Sequence, residues 1–136
     1  MIKFLQRLGV CLMGFALFGC SSVKVSDYAQ EKPALDLSNY FNGTIDAHGI
    51  FTDRSDKVVK RFKVVIDAKW TVENGKKVGV LDEAFTYSDG TTQRRVWTLT
   101  EIAPNRYKGT ASDVVGEALG EVAGNALNWS YTLALP

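Results

Sequence analysis

The chain has 136 residues, 46% of them hydrophobic, with 16 basic and 15 acidic side chains and a formal charge of +1. That length suits one domain with a sizeable core, and near-neutral charge without a basic run argues against nucleic acid as a partner. Two cysteines and a single histidine leave almost nothing from which to build a zinc site or a Cys/His or Ser/His nucleophile pair.

The first predicted element is an export signal over residues 1–19. Lys3 and Arg7 form a cationic start, and Leu8 to Phe18 form an uncharged apolar stretch too short to span a bilayer as a mature helix. Leu17-Phe18-Gly19-Cys20 then reads as a lipobox. The expected chemistry is attachment of a diacylglyceryl group to the Cys20 sulfur, followed by cleavage between Gly19 and Cys20. An ordinary signal peptide with Cys20 as an incidental thiol is the plainer alternative. Against it, Cys20 stands where the apolar run ends, with no separate A-x-A-like site.

One acyl chain binds membranes only marginally; two or more, at about 0.8 kcal/mol per buried CH₂, anchor stably. Ser21, where an Asp would indicate inner-membrane retention, points to the cell outer membrane, with the domain facing the periplasm. Loss of residues 1–19 removes Lys3, Arg7 and Cys11 and leaves 14 basic against 15 acidic residues. With Cys20 acylated, no disulfide can form in the oxidising compartment, and stability must come from the core. Acyl groups on Cys20 are the only covalent additions expected; no other cofactor and no metal is.

Residues 20–36 are polar with mixed charge and one proline, the composition of a tether that stands the domain off the membrane. Tyr28 is the residue in it best suited to pack on the domain instead.

Residues 37–136 read as an antiparallel β domain, because the apolar period becomes two and turn signals recur at strand-length intervals. Predicted strands run over 41–51, 58–71, 77–87, 91–102, 106–113 and 126–135. In the second, Phe62, Val64, Ile66, Ala68 and Trp70 share one face and Arg61, Lys63, Asp67 and Lys69 the other. A strand of that length suits a coiled sheet, so the expected fold is all-β, a meander forming a lipocalin-like barrel or half-barrel.

The turns set registers. Asn74-Gly75 makes a two-residue hairpin pairing Phe62 with Tyr87, Val64 with Phe85, Ile66 with Glu83, Ala68 with Leu81 and Trp70 with Gly79. Ser88-Asp89-Gly90 as a three-residue loop pairs Phe85 with Gln93, Glu83 with Arg95 and Leu81 with Trp97. A three-residue loop at Pro104-Asn105 brings Asp113 opposite Arg95, whereas two or four loop residues turn Asp113 to the other face. Residues 113–125 are ambiguous. Val114, Val115, Ala118, Leu119, Val122 and Ala123 have helical spacing, but Gly116, Gly120 and Gly124 weaken a helix, and a Gly-rich strand turning at Gly124-Asn125 is preferred.

Chemistry-bearing candidates are few. His48 falls on the polar parity of the first strand, an exposed position rather than a base or ligand. Asp53 to Asp56 are turn residues, with weak calcium binding as the alternative. Arg94 and Arg95 point to opposite faces. The best candidates are Glu83, Arg95 and Asp113, charges expected among Phe85, Tyr87 and Trp97 on the concave side. They form either a structural ion pair or a polar anchor for a ligand in an apolar cavity.

Several strings resemble one family: Asp53-Arg54-Ser55, Tyr87-Ser88-Asp89-Gly90, Arg95-Val96-Trp97, Gly109 to Gly116, and Gly124-Asn125-Ala126 with Trp129 and Tyr131. Together, in order from about Leu35 onward, they resemble an uncharacterised lipoprotein family of Gram-negative bacteria, domain of unknown function 3833. The resemblance implies a lipoprotein and supplies no activity. It also implies a C-terminal segment beyond the position of Pro136, with an Asp-Asp-Trp-Met-like motif and further strands. On that expectation this chain is a truncated member or closes its sheet another way, and an unclosed barrel exposes an edge.

Three functional readings follow. The first is a non-enzymatic, outer-membrane-anchored periplasmic lipoprotein that binds a hydrophobic or amphiphilic small molecule. The second is an assembly lipoprotein holding an envelope protein by a sheet edge or apolar patch. An enzyme comes third, since two carboxylates and an arginine do acid or base work only with unusual pKa values.

Overall fold

The computed structural model describes residues 22–135. Its sheet has seven antiparallel strands in chain order: β1 (Gly43–Thr52), β2 (Val58–Glu73), β3 (Lys76–Tyr87), β4 (Thr92–Ala103), β5 (Arg106–Thr110), β6 (Ala118–Ala123) and β7 (Ala126–Ser130). The sheet curls into a half-barrel with β1 and β7 as its two edges. Helix among the described residues is confined to a 3-10 turn at Val25–Tyr28 and to α1 (Leu37–Tyr40).

Alternation of apolar and polar residues drives the curl. Val64, Ile66, Ala68, Leu81, Phe85, Trp97, Leu99, Tyr107 and Val122 are buried on the concave face, together with Leu37 of α1. The carboxylate of Asp36 caps α1 by accepting from the Ser38 and Asn39 amides, and this seats Leu37, with no exposed surface, beneath one end of the sheet. The same capped turn delays β1 to Gly43, two residues after the expected start.

Turn chemistry places the hairpins in the expected registers. Asn74 and Gly75, at φ 50° and 75°, join β2 to β3 with Phe62 opposite Tyr87 and Trp70 opposite Gly79. Gly90, at φ 83°, closes the β3–β4 turn and sets Glu83 opposite Arg95. Asn105, at φ 61°, gives the β4–β5 loop the hand that pairs Leu99 with Gly109, which carries Asp113 toward Arg95.

The last quarter of the chain departs from the predicted strands. β5 stops at Thr110, three residues before Asp113, and a loop follows to Glu117, so the expected glycine-rich strand forms only over Ala118–Ala123, and it turns at Gly124-Asn125 as expected. β7 stops at Ser130, and Tyr131–Leu135 instead crosses to that loop, joined by an isolated bridge between Val114 and Leu133. Glycine explains part of this. Gly116 takes φ 66°, which breaks strand geometry, while Gly109 and Gly120 sit under the Trp129 ring, where a Cβ on Gly109 would come within 2.6 Å of it.

The segment expected to be a free tether packs on the domain from Val25. Its 3-10 turn lies against β6 and β7, and the Leu35 amide donates to the Gly124 carbonyl at 2.8 Å. Gly124, at φ 56°, meets the Tyr28 carbonyl so closely that no side chain fits there. Tyr28 thus docks through its backbone, the residue remaining 41% exposed.

Candidate functional site

One end of the half-barrel carries an open cleft of about 940 Å³. It forms where four elements meet: the rim of β1 and β2 gives Phe51, Val59 and Lys60, and the β3–β4 hairpin gives Tyr87, Gln93 and Arg95. Asp113 comes from the β5–β6 loop, and Tyr131, Leu133, Ala134 and Leu135 form the remaining wall.

At the base of the cleft Arg95 is 7% exposed and paired with Asp113. Its Nε donates to the two carboxylate oxygens at 3.0 and 3.1 Å, and its Nη2 donates at 2.7 Å. The guanidinium carbon lies 5.6 Å from the Phe85 ring centre and 6.0 Å from those of Trp97 and Tyr131, an aromatic surround that favours a cation. Gln93 extends the network: its amide donates to Asp113 at 3.2 Å and its carbonyl accepts from the Tyr87 hydroxyl at 2.7 Å. No buried side-chain polar atom lacks a partner among the described residues.

The charges are unequal. Hydrogen bonds from Arg95 hold the Asp113 carboxyl below the usual carboxylate range. Glu83 faces Arg95 across the β3–β4 ladder, but burial raises its pKa to about 7, because loss of water outweighs the attraction of Arg95. Burial likewise raises the Tyr87 phenol. At the rim Lys60 sits 4.6 Å from the Tyr87 ring centre and 3.0 Å from the Asp89 carboxylate.

Of the residues singled out in the sequence, Tyr87, Arg95 and Asp113 line the cleft. Phe85 and Trp97 are buried, with Glu83 beside them, in the packed layer beneath it, so they support the site instead of facing a ligand. His48 is exposed opposite Lys63. Asp53 folds its carboxylate onto Ser55 and Lys57 of its own turn. Among the described residues no group of three or more His, Cys, Asp or Glu side chains is placed to hold a metal ion, and no helix is long and apolar enough to cross a membrane. Gly19 and Cys20, the predicted cleavage and lipid-attachment residues, lie outside the described residues.

Sequence reasoning missed Lys60, Gln93 and the wall of Tyr131–Leu135. Gln93 had a signal, since its register opposite Phe85 places it on the concave face two residues from Arg95. The wall had none, because its position depends on the loop that replaces the expected end of β5.

No curated protein and no solved structure matches the chain. A family model described as "Protein of unknown function (DUF3833)" matches residues 14–136, nearly the whole sequence. The chain belongs to the DUF3833 family of proteins of unknown function.

Proposed function

We propose that this protein is a lipoprotein anchored through Cys20 to the outer membrane, and that its periplasmic domain binds a hydrophobic or amphiphilic small molecule without transforming it. The cleft carries this reading. Its volume of about 940 Å³ falls in the range of small-molecule sites. Phe51, Val59, Tyr131 and Leu133 offer apolar surface, while Tyr87, Gln93 and Thr92 offer neutral hydrogen-bonding groups at one side. Arg95 and Asp113 satisfy one another, which suits a fixed polar floor better than proton transfer.

The test is mass spectrometry of solvent-extracted ligand from the full chain isolated from a Gram-negative envelope. A Leu133→Asp variant, which charges the apolar wall, provides the comparison. A single class of amphiphile that copurifies with the wild type and is lost from the variant supports the reading. Equal recovery of envelope lipid from both removes it.

The assembly reading keeps one observation of its own. β1 presents a ten-residue edge with its outer backbone groups unpaired in the sheet, beside Ile50 at 56% and Val59 at 60% exposure. An envelope protein captured by site-specific cross-linking from Ile50 would favour it.

A further inference from the structure

The wall of the cleft formed by Tyr131–Leu135 is not a strand of the sheet. It is a strap attached to the β5–β6 loop. The Val115 amide donates to the Thr132 carbonyl and the Ala134 amide donates to the Asp113 carbonyl, both at 2.9 Å. Between these bonds Val114 and Leu133 face each other. The residues that hold the strap, Asp113–Val115, belong to no strand themselves.

What fixes that loop is the side chain of Asp113, gripped through three contacts by Arg95 of β4. Tyr131 meets the same group: its ring lies 6.0 Å from the guanidinium carbon and edge-on to Trp97 at 5.2 Å. One buried arginine therefore ties both the loop and the root of the strap to the sheet.

The two parts differ in strength. The pair is charge-assisted and nearly bidentate, with Arg95 almost wholly shielded from water. The strap beyond it is exposed at Thr132, Ala134 and Leu135, so opening it breaks few bonds and exposes little further surface. No hairpin between β2 and β4 has to move for the cleft to widen.

We propose that the Arg95–Asp113 pair is a latch that holds Tyr131–Leu135 as a movable wall, and that release of this strap admits and discharges the ligand of the cleft. The proposal rests on the cleft being a ligand site and gives that site its gate.

Hydrogen exchange on the full chain reads the latch without any ligand. In Asp113→Asn, exchange of the Val115 and Ala134 amides accelerates at least tenfold while amides of β2 and β3 keep their rates. Unchanged strap amides, or loss of protection throughout the sheet, overturn the latch.

A cross-linked variant reads the gate with every charge in place. The bonds flanking Val114 and Leu133 make them a non-hydrogen-bonded antiparallel pair, with Cα atoms about 4.5 Å apart and within reach of a disulfide. In Val114→Cys/Leu133→Cys, uptake of the apolar fluorophore N-phenyl-1-naphthylamine is at least tenfold slower when oxidised than after dithiothreitol. Equal rates in the two states overturn the gate and leave the cleft as a ligand site. No fluorescence gain in any form removes the ligand site and the gate together.

Discussion

Glu83 is the residue whose charge state matters most near neutral pH. Its carboxyl titrates near 4.5 in the unfolded chain and near 7 in the fold, because burial withholds water from the anion. Between those values the folded state binds more protons than the unfolded one, so stability falls as pH rises and the penalty is complete above pH 7. Its full size is on the order of 3 kcal/mol. Glu83→Gln removes the ionisation, and urea midpoints should find the variant more stable than wild type at pH 8, with the advantage shrinking toward pH 4.5. An advantage independent of pH would mean that Glu83 is not the titrating group.

Arg95 has a different status, since its charge is matched by Asp113 and surrounded by three rings. The sequence made this pair legible through one turn: a left-handed Asn105 sets the register that points both groups inward. It did not separate residues that line the cleft from those that support it, because Phe85 and Tyr87 share a face and differ only in how much lies over them.

At the level of elements, close contact between aromatic rings and glycines shapes the hairpins. Trp70 lies across Gly79, its register partner, and a Cβ added to Gly79 would stand 2.5 Å from the indole. The indole N–H also donates to the Phe41 carbonyl at 2.8 Å, which fixes the ring against the start of the domain. Gly79→Ala should therefore cost about 1–3 kcal/mol in urea unfolding through overpacking. In the double variant with Trp70→Leu, part of that cost should disappear, so that the two effects are less than additive. Strict additivity would place the strain elsewhere.

Gly124 plays the corresponding part for the N-terminal segment, which its backbone contacts at Tyr28 and Leu35 hold to the β6–β7 turn. Gly124→Ala should detach that segment. Trypsin would then cut after Lys24 several-fold faster, with the β2–β3 hairpin still protected; unchanged cleavage would count against this contact. The hairpins from β1 to β5 were legible because two-residue periodicity and turn residues agree there. The packed N-terminal segment and the strap were not, because each is held by backbone bonds to distant glycine-rich stretches that carry no local pattern.

At the scale of the whole molecule, the half-barrel has two unlike ends. The turns at Asn74-Gly75, Pro104-Asn105 and Gly124-Asn125 gather at one end with α1, and the N-terminal segment lies along the β6–β7 hairpin there. The cleft opens at the other end, between the β1–β2 and β3–β4 turns. The twelve residues of β3 run from one to the other, a separation of roughly 35–40 Å at about 3.3 Å per residue.

Val23 lies beside Glu121 and Asn128, only three residues from Cys20, so on the proposed anchor the lipid can be no more than about 11 Å of chain from that point. From Gly124 the leader runs back along the β6–β7 hairpin to Glu121 and Asn128, midway between Asn125 and Tyr131 of the cleft, so a lipid on Cys20 would hold the flank of this hairpin toward the bilayer.

Fluorophores on Asn125→Cys and Asp89→Cys, in full-length protein reconstituted into vesicles with nitroxide-labelled lipid, test this directly. Asn125, on the β6–β7 hairpin that the leader follows, should be quenched strongly, and Asp89, on the β3–β4 turn, weakly. Stronger quenching at Asp89 would set the cleft rim, and not this hairpin, against the membrane.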